Sequence, residues 1–297
     1  MRFSYWPSPG LPFSEVSRLA SHVENTGWDG LWYADHFMPS SSDTKVGWPE
    51  AWTTLAALSS ITSRIRLGTL VTGNTYRHPA VLAKMVVKID HISNGRVVLG
   101  LGSGWQENEH RAYGSPFYTV RERLERLNEA CHVIKSLFVN QRTNFDGRFY
   151  TLDEATLEPK PIQTPLPLMV GGGGAKLTLR ITAEHADEWN VWGDGAILRR
   201  KMRILDDHCR KVGRDPSEIQ RSAVALLYMS DDESYVKSMK ASDKGMPSIV
   251  GTTSEVKDVV AELESIGVNE LIFPDFTFDK DDKLKTLDTF IGVVAGR

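Results

Sequence analysis

Short apolar runs alternate with longer amphipathic stretches along the whole chain, and this alternation restricts the fold more than any other feature. The runs are Arg2–Trp6, Asp29–Ala34, Ile65–Val71, Val97–Leu101, Leu168–Val170, Glu188–Trp192, Ser222–Tyr228 and Glu270–Phe273. Their residues do not alternate between apolar and polar, which is the pattern of parallel strands covered on both faces. Helical periodicity follows each run: Phe13–Thr26, Glu50–Thr62, Ala80–Ile92, Thr119–Phe138, Ala175–His185, Ile197–Val212, Thr252–Ile266 and Leu284–Val294. Gly27 and Gly267 stop two of these helices, and Thr252-Thr253-Ser254-Glu255 opens one as a capping box. Eight βα units in 297 residues predict an α/β chain folded as a (β/α)8 barrel of the TIM type, rather than a doubly wound sheet. No linker separates a second unit, so one domain over residues 1–297 is expected.

The helix faces are predicted from the same periodicity. Val81, Met85, Ile89 and Ile92 align on one helix, and Val120, Leu124, Leu127, Cys131, Ile134 and Phe138 on another. Arg121, Glu122, Arg123, Glu125 and Arg126 then form a solvated face. Residues 140–165 break the rhythm as an insertion before strand five. It contains a small hairpin, Thr143–Phe145 with Phe149–Thr151 around Asp146-Gly147, and a proline-rich return. Residues 38–48 and 230–251 are polar and irregular, hence loops that, with the insertion, would shape a substrate pocket.

Composition narrows the function. A net charge of −3 offers no basic surface for nucleic acid or an anionic membrane, and no apolar run is long enough to span a bilayer. Met1–Pro7 lacks a signal-peptide core, and Cys131 and Cys209 are far apart within helical patterns. A reducing, cytoplasmic setting is the expectation.

Chemistry in such a barrel gathers at the carboxyl ends of the strands. Gly100, Gly102 and Gly104 end the fourth strand in bare backbone, and a polar cluster from Ser103 to Arg111 follows. A dinucleotide fingerprint fails on spacing, because Trp105 stands where its third glycine belongs. Gly171–Gly174 lies between a strand and a helix, where free amide N–H groups suit a phosphate and Lys176 adds charge. Asp35-His36 follows strand two, and His36 is the acid/base or electrostatic candidate. His78, His91, His110 and His185 sit at helix starts or within helices and read as structural. Glu107 and Glu109 are two apart, so only one can face inward. Asn190 lies in the sixth strand, facing the same mouth. No Ser-His-Asp signature, P-loop or metal-ligand spacing occurs.

Taken together, the motifs resemble the luciferase-like flavin and deazaflavin oxidoreductases over essentially the whole chain, and most of all their coenzyme F420-dependent branch. The resemblance rests on Ala-Asp-His-Phe at 34–37, Thr-Tyr-Arg-His-Pro-Ala at 75–80, Asp-His-Ile-Ser-Asn-Gly-Arg at 90–96 and the stretch 100–114. Phe-Asp-Gly-Arg-Phe-Tyr at 145–150, the four glycines and Ala-Asp-Glu-Trp-Asn at 186–190 complete it. It implies a homodimeric barrel with a deazaflavin or isoalloxazine ring in the mouth, and hydride transfer to or from a small organic substrate. It implies a backbone bulge at Leu70-Val71, often a non-proline cis peptide, behind the ring. It places Ser103 and Gly104 at the cofactor and Gly173 and Gly174 at its phosphate. Glu109 and Asn190 complete the cofactor-binding set, and Asp35 and His36 are the ring-proximal catalytic pair. F420 is the cofactor implied. FMN is the alternative, in a monooxygenase supplied by a separate flavin reductase and using oxygen. A barrel that only stores flavin and a phosphosugar enzyme without a redox cofactor are weaker readings. The resemblance also marks two departures from its sugar-phosphate dehydrogenases: Trp105 where they carry Glu, and Ser40 where they carry Trp.

Overall fold

A computed structural model describes residues 1–41, 45–279 and 282–297. The strands are β1 (Arg2–Trp6), β2 (Gly30–Tyr33), β3 (Arg66–Thr69), β4 (Thr72–Gly73), β5 (Val97–Gly102), β6 (Thr143–Asp146), β7 (Thr151–Ala155), β8 (Leu168–Gly171), β9 (Glu188–Trp192), β10 (Gln220–Val224), β11 (Leu226–Met229), β12 (Ser248–Gly251) and β13 (Glu270–Pro274). The helices are α1 (Phe13–Asn25), α2 (Ala51–Ile61), α3 (Pro79–Ser93), α4 (Glu107–Ala112), α5 (Val120–Val139), α6 (Thr178–His185), α7 (Gly195–Lys211), α8 (Glu233–Ala241), α9 (Thr253–Ser265) and α10 (Lys283–Thr289).

The alternation closes into a parallel barrel. β1 pairs with β2 on one side and β13 on the other, and the circuit continues through β10, β9, β8 and β5 back to β3. β4 continues β3 along β5, so eight strand positions form the wall. Two apolar layers result. One lies between strands and helices, with Trp28, Trp52 and Trp189 fully buried in it. The other fills the barrel itself, with Trp32, Val98, Met169, Val224 and Ile272 below Trp6, Ala34 and Leu70.

Several local expectations change. The inner face of α3 is Leu82, Ala83, Val86, Val87 and Ile89, whereas Val81 and Ile92 are exposed. This helix is apolar on most sides, so periodicity alone could not orient it. Val120 is exposed at the first turn of α5. On the same helix Arg123 and Arg126 are not solvated: they lie over the rings of Phe117 and Tyr118 at 4.0 and 3.8 Å. In the hairpin, Phe145 pairs with Leu152 and Asp146 with Thr151, so its second strand starts at Thr151 rather than Phe149. Strand seven divides into β10 and β11, and β11 leaves the barrel to pair with β12. Residues 230–251 therefore hold a helix, α8, and a strand rather than an irregular loop. Within the loop 38–48, residues 42–44 lie outside the described residues.

Candidate active site

The strand ends open into a cavity of about 690 Å³. Four sequence-predicted residue sets reach its wall: His36 after β2, Leu70-Val71 after β3, Gly104 after β5, and Gly173 with Asn190 from β8 and β9. Ser103, Gly174, Asp35 and Glu109 do not line it.

The wall behind the cavity is the break between β3 and β4. The Leu70-Val71 peptide is cis. Room for the Val71 side chain comes from missing Cβ atoms on neighbouring strands. A Cβ on Gly102 or Gly171 would stand 2.8 Å from a Val71 methyl, and one on Gly100 would stand 3.1 Å from it. Gly102 thus makes way for Val71, while Gly100 makes way first for the Thr69 carbonyl, which stands nearest to where its Cβ would be; both are packing roles where the sequence had suggested ligand approach. Gly104 adopts φ +77°, which favours glycine, and its missing Cβ leaves room for the Thr75 hydroxyl.

His36 is oriented from behind. Glu109 in α4 is fully buried, and its Oε1 lies 2.8 Å from His36 Nδ1 while Oε2 accepts the Phe37 N–H at 2.8 Å. The Tyr76 hydroxyl also donates to Glu109. Burial pushes the Glu109 carboxyl up, but the bonds from His36, Tyr76 and Phe37 outweigh it and hold it below its ordinary value. An ionised carboxylate only accepts, so Nδ1 carries the hydrogen of this bond and Nε2 lies outside it. Tyr76 is held protonated, its pKa raised strongly by burial and by Glu109. Glu107, two residues away, is exposed. Trp105 and Trp48 stand edge-on to the His36 ring, with centroids 5.5 and 6.1 Å away.

Asp35 occupies a different place from the one its neighbour suggests. It is fully buried and holds Arg77 bidentately, at 2.6 and 3.1 Å, and Arg77 also pairs with Glu50. This triad ties β2, the turn after β4 and the start of α2 together beneath His36. The other histidines read as structural do take protein partners: His110 bonds the Gln106 carbonyl and the Thr75 hydroxyl, His78 caps α3, and His91 and His185 bond Lys160 and Asn128.

At the glycine run, α6 starts at Thr178 instead of Ala175, and Lys176 is exposed. The N–H groups of Gly173 and Gly174 make no backbone hydrogen bond among the described residues, while Lys201 from α7 reaches the Gly173 carbonyl. The positive charge beside the loop is therefore Lys201, a contact between distant residues that no local pattern marks. A Cβ on Gly173 would meet Val191 at 3.0 Å and one on Gly174 would meet the Thr178 hydroxyl at 2.6 Å. Asn190 donates to Ser222 at 2.8 Å from the cavity wall. Ser40 and Trp48 from segment 38–48 and Met246 from segment 230–251 line the cavity as expected, whereas among the described residues none of the insertion 140–165 does; Trp6, Tyr76, Trp192 and Phe276 also line it without having been assigned a place there. Among the described residues no cluster could hold a metal ion.

Residues 1–240 match the luciferase-like monooxygenase family. The F420-dependent glucose-6-phosphate dehydrogenase of Amycolatopsis mediterranei (strain U-32) is 36% identical over 214 residues, covering 71% of this chain and 61% of that protein. The F420-dependent hydroxymycolic acid dehydrogenase of Mycobacterium tuberculosis (strain ATCC 25618 / H37Rv) is 30% identical over 227 residues, covering 75% of this chain and 62% of that one. The matched region thus spans about three-fifths of both relatives. An F420-dependent secondary alcohol dehydrogenase, solved with an F420-acetone adduct, superimposes with a TM-score of 0.84 at 20% identity, over 98% of this chain and 97% of that one.

Proposed function

From the premise that the chain belongs to the luciferase-like monooxygenase family, we propose that it is an F420-dependent oxidoreductase acting on a small organic molecule. One observation carries the reading: a single cavity joins the Val71 bulge, the bare Gly171–Gly173 backbone and a histidine of defined tautomer. Two relatives at 36% and 30% identity bear names that include F420 dependence. The residues fit such a group. Leu70 and Val71 would back its ring, with Gly104 and Asn190 at its sides, and the Gly173 and Gly174 N–H groups with Lys201 would hold its phosphate. When bound, the deazaflavin supplies or accepts a hydride. His36 Nε2 takes the hydroxyl proton of an alcohol, or returns it to a carbonyl oxygen. Glu109 and Tyr76 keep that ring in place, and Asp35 with Arg77 braces the loop that carries it. FMN, with reduced flavin supplied by a separate reductase, is the second reading; the family's own description as monooxygenases favours it.

Quenching titrations of the purified chain with F420 and FMN decide between them. F420 is expected to bind at least about tenfold more tightly, a difference near 1.4 kcal/mol. Tight binding of FMN alone overturns the proposal. His36→Ala is expected to lower turnover about 100-fold or more while leaving cofactor affinity nearly unchanged; equal turnover removes His36 from the mechanism. We also propose a homodimer, supported by the exposed Ile61, Val81 and Ile92 on α2 and α3, which light scattering tests. A cytoplasmic setting is supported by two buried, free cysteines. No described helix is long and apolar enough to cross a membrane.

A further inference from the structure

Much of the cavity wall is made of aromatic and thioether groups: Trp6, Trp48, Trp105, Trp192, Met246 and Phe276. They come from distant parts of the chain, since Trp6 ends β1, Met246 precedes β12 and Phe276 follows β13. Two ring contacts join them, Trp6 edge-on to Phe276 at 5.2 Å and Trp6 tilted against Trp192 at 5.9 Å. Among the described residues no Lys, Arg, Asp or Glu lines the cavity. The nearby cations are already committed. Arg77 is held by Asp35 and Glu50 and Lys283 by Asp275, while Lys201 lies at the glycine loop, where it is assigned to the cofactor phosphate. The polar groups of the aromatic residues are neutral indole N–H donors; those of Trp6 and Trp48 are buried and have no acceptor among the described residues.

We propose that this site takes an uncharged, largely apolar alcohol or carbonyl compound, and that a phosphorylated sugar is not its substrate. The proposal rests on the redox reading of the cavity and narrows its substrate class. A phosphate placed against this wall would lose its hydration without gaining a cation. An apolar ring or chain would instead bury surface against four indoles and a phenyl ring, and one neutral oxygen would suit His36 Nε2. The relative named as a glucose-6-phosphate dehydrogenase marks the contrast: the present wall offers no partner for that phosphate.

Calorimetric titration of the F420-loaded full chain tests this, with cyclohexanone as the neutral probe and glucose 6-phosphate as the anionic one. Cyclohexanone is expected to bind, and glucose 6-phosphate to bind at least about tenfold more weakly or not at all. Trp48→Ala and Trp105→Ala are each expected to weaken cyclohexanone by about three- to tenfold. Trp105 is 64% exposed, so its removal leaves the core packing intact. Glucose 6-phosphate binding as tightly as cyclohexanone overturns the assignment. So does failure of both probes, or unchanged cyclohexanone affinity in both variants. The titrations are repeated without cofactor. A chain that binds cyclohexanone but never F420 would sink the cofactor reading and leave the substrate class standing.

Discussion

A methyl of Val71 lies 2.8 Å from where a Cβ on Gly102 would stand, closer than packed atoms approach. Gly102 is buried in β5, and no neighbouring backbone can yield without moving the barrel wall. Gly102→Ala is therefore expected to cost about 1–3 kcal/mol as an overpacked core change. Val71→Ala in the same chain should recover most of it, because the clash is with that side chain. Urea unfolding of the two single variants and the double variant gives the coupling. Additive losses would show that Val71 is not what Gly102 accommodates.

Glu109 bonds His36, the Phe37 N–H and the Tyr76 hydroxyl. Glu109→Gln keeps the shape but can present an N–H to His36 Nδ1, which removes the fixed tautomer. Turnover should fall while cofactor affinity holds, and the pH profile should change. In the native chain the Glu109 carboxyl titrates below its ordinary 4.5. Its contribution is thus complete above pH 4.5 and disappears as pH falls through the lower folded value. The acid limb of kcat measured against pH should lose this component in Glu109→Gln. A variant with the native profile would show that the His36–Glu109 bond does not control proton transfer.

The barrel was legible in the sequence because parallel strands covered on both faces leave short apolar runs, and eight of them recur with helices between. Boundaries held to within a few residues where a cap marks them, as at Thr252 and Glu255. The cavity wall was legible where a local motif reaches it by itself, as at His36 and Gly171–Gly173. It was not legible where the task is shared across the chain. Asp35 sits beside His36 in sequence, yet its side chain turns to Arg77, a residue 42 positions away. Lys201 meets Gly173 across 28 positions, and the six apolar wall residues join only when the barrel closes. Strand seven split because β11 found a partner in β12, a pairing with no local signature.

His185 gives the fold a pH dependence separate from the site. Burial lowers its pKa from 6.5 to about 4, with the cations Lys135 and Arg214 and the nearby His132 adding to the effect and Glu184 opposing it. The unfolded chain therefore binds a proton between pH 6.5 and 4 that the folded chain refuses. Stability is complete above pH 6.5 and declines as pH falls to about 4. The loss approaches about 3 kcal/mol at 1.36 kcal/mol per unit of pKa. His185→Gln keeps a side-chain donor near Asn128 and should flatten this slope in urea midpoints taken across the range. A slope equal to that of the native chain would show that His185 does not titrate in this way.

At the opposite end of the barrel, Glu270 is fully buried and accepts from the Ser4 hydroxyl at 2.6 Å, the Trp32 indole at 2.8 Å, Arg66 at 3.0 Å and Arg2 at 3.1 Å. Arg66 also pairs with Glu188, so two guanidinium groups face two carboxylates across the barrel floor. The arrangement is balanced in charge, and Glu270 is saturated with donors, whereas Glu188 Oε2 accepts no hydrogen bond. Glu270→Ala leaves both arginines sharing one carboxylate and strands the buried Ser4 and Trp32 donors. The expected cost is about 3–5 kcal/mol, the usual consequence of breaking a buried ion pair from one side. Glu270→Gln should cost less, because it still offers an oxygen to Trp32 and Ser4. Neither change touches the mouth, since Glu270 pairs with Arg2 at the amino end of the strands and the cavity lies at their carboxyl ends. Cofactor affinity of the folded fraction should therefore be preserved in both variants while the urea midpoint drops. Weakened cofactor binding in Glu270→Gln at full native content would mean that floor and mouth are coupled through the barrel interior.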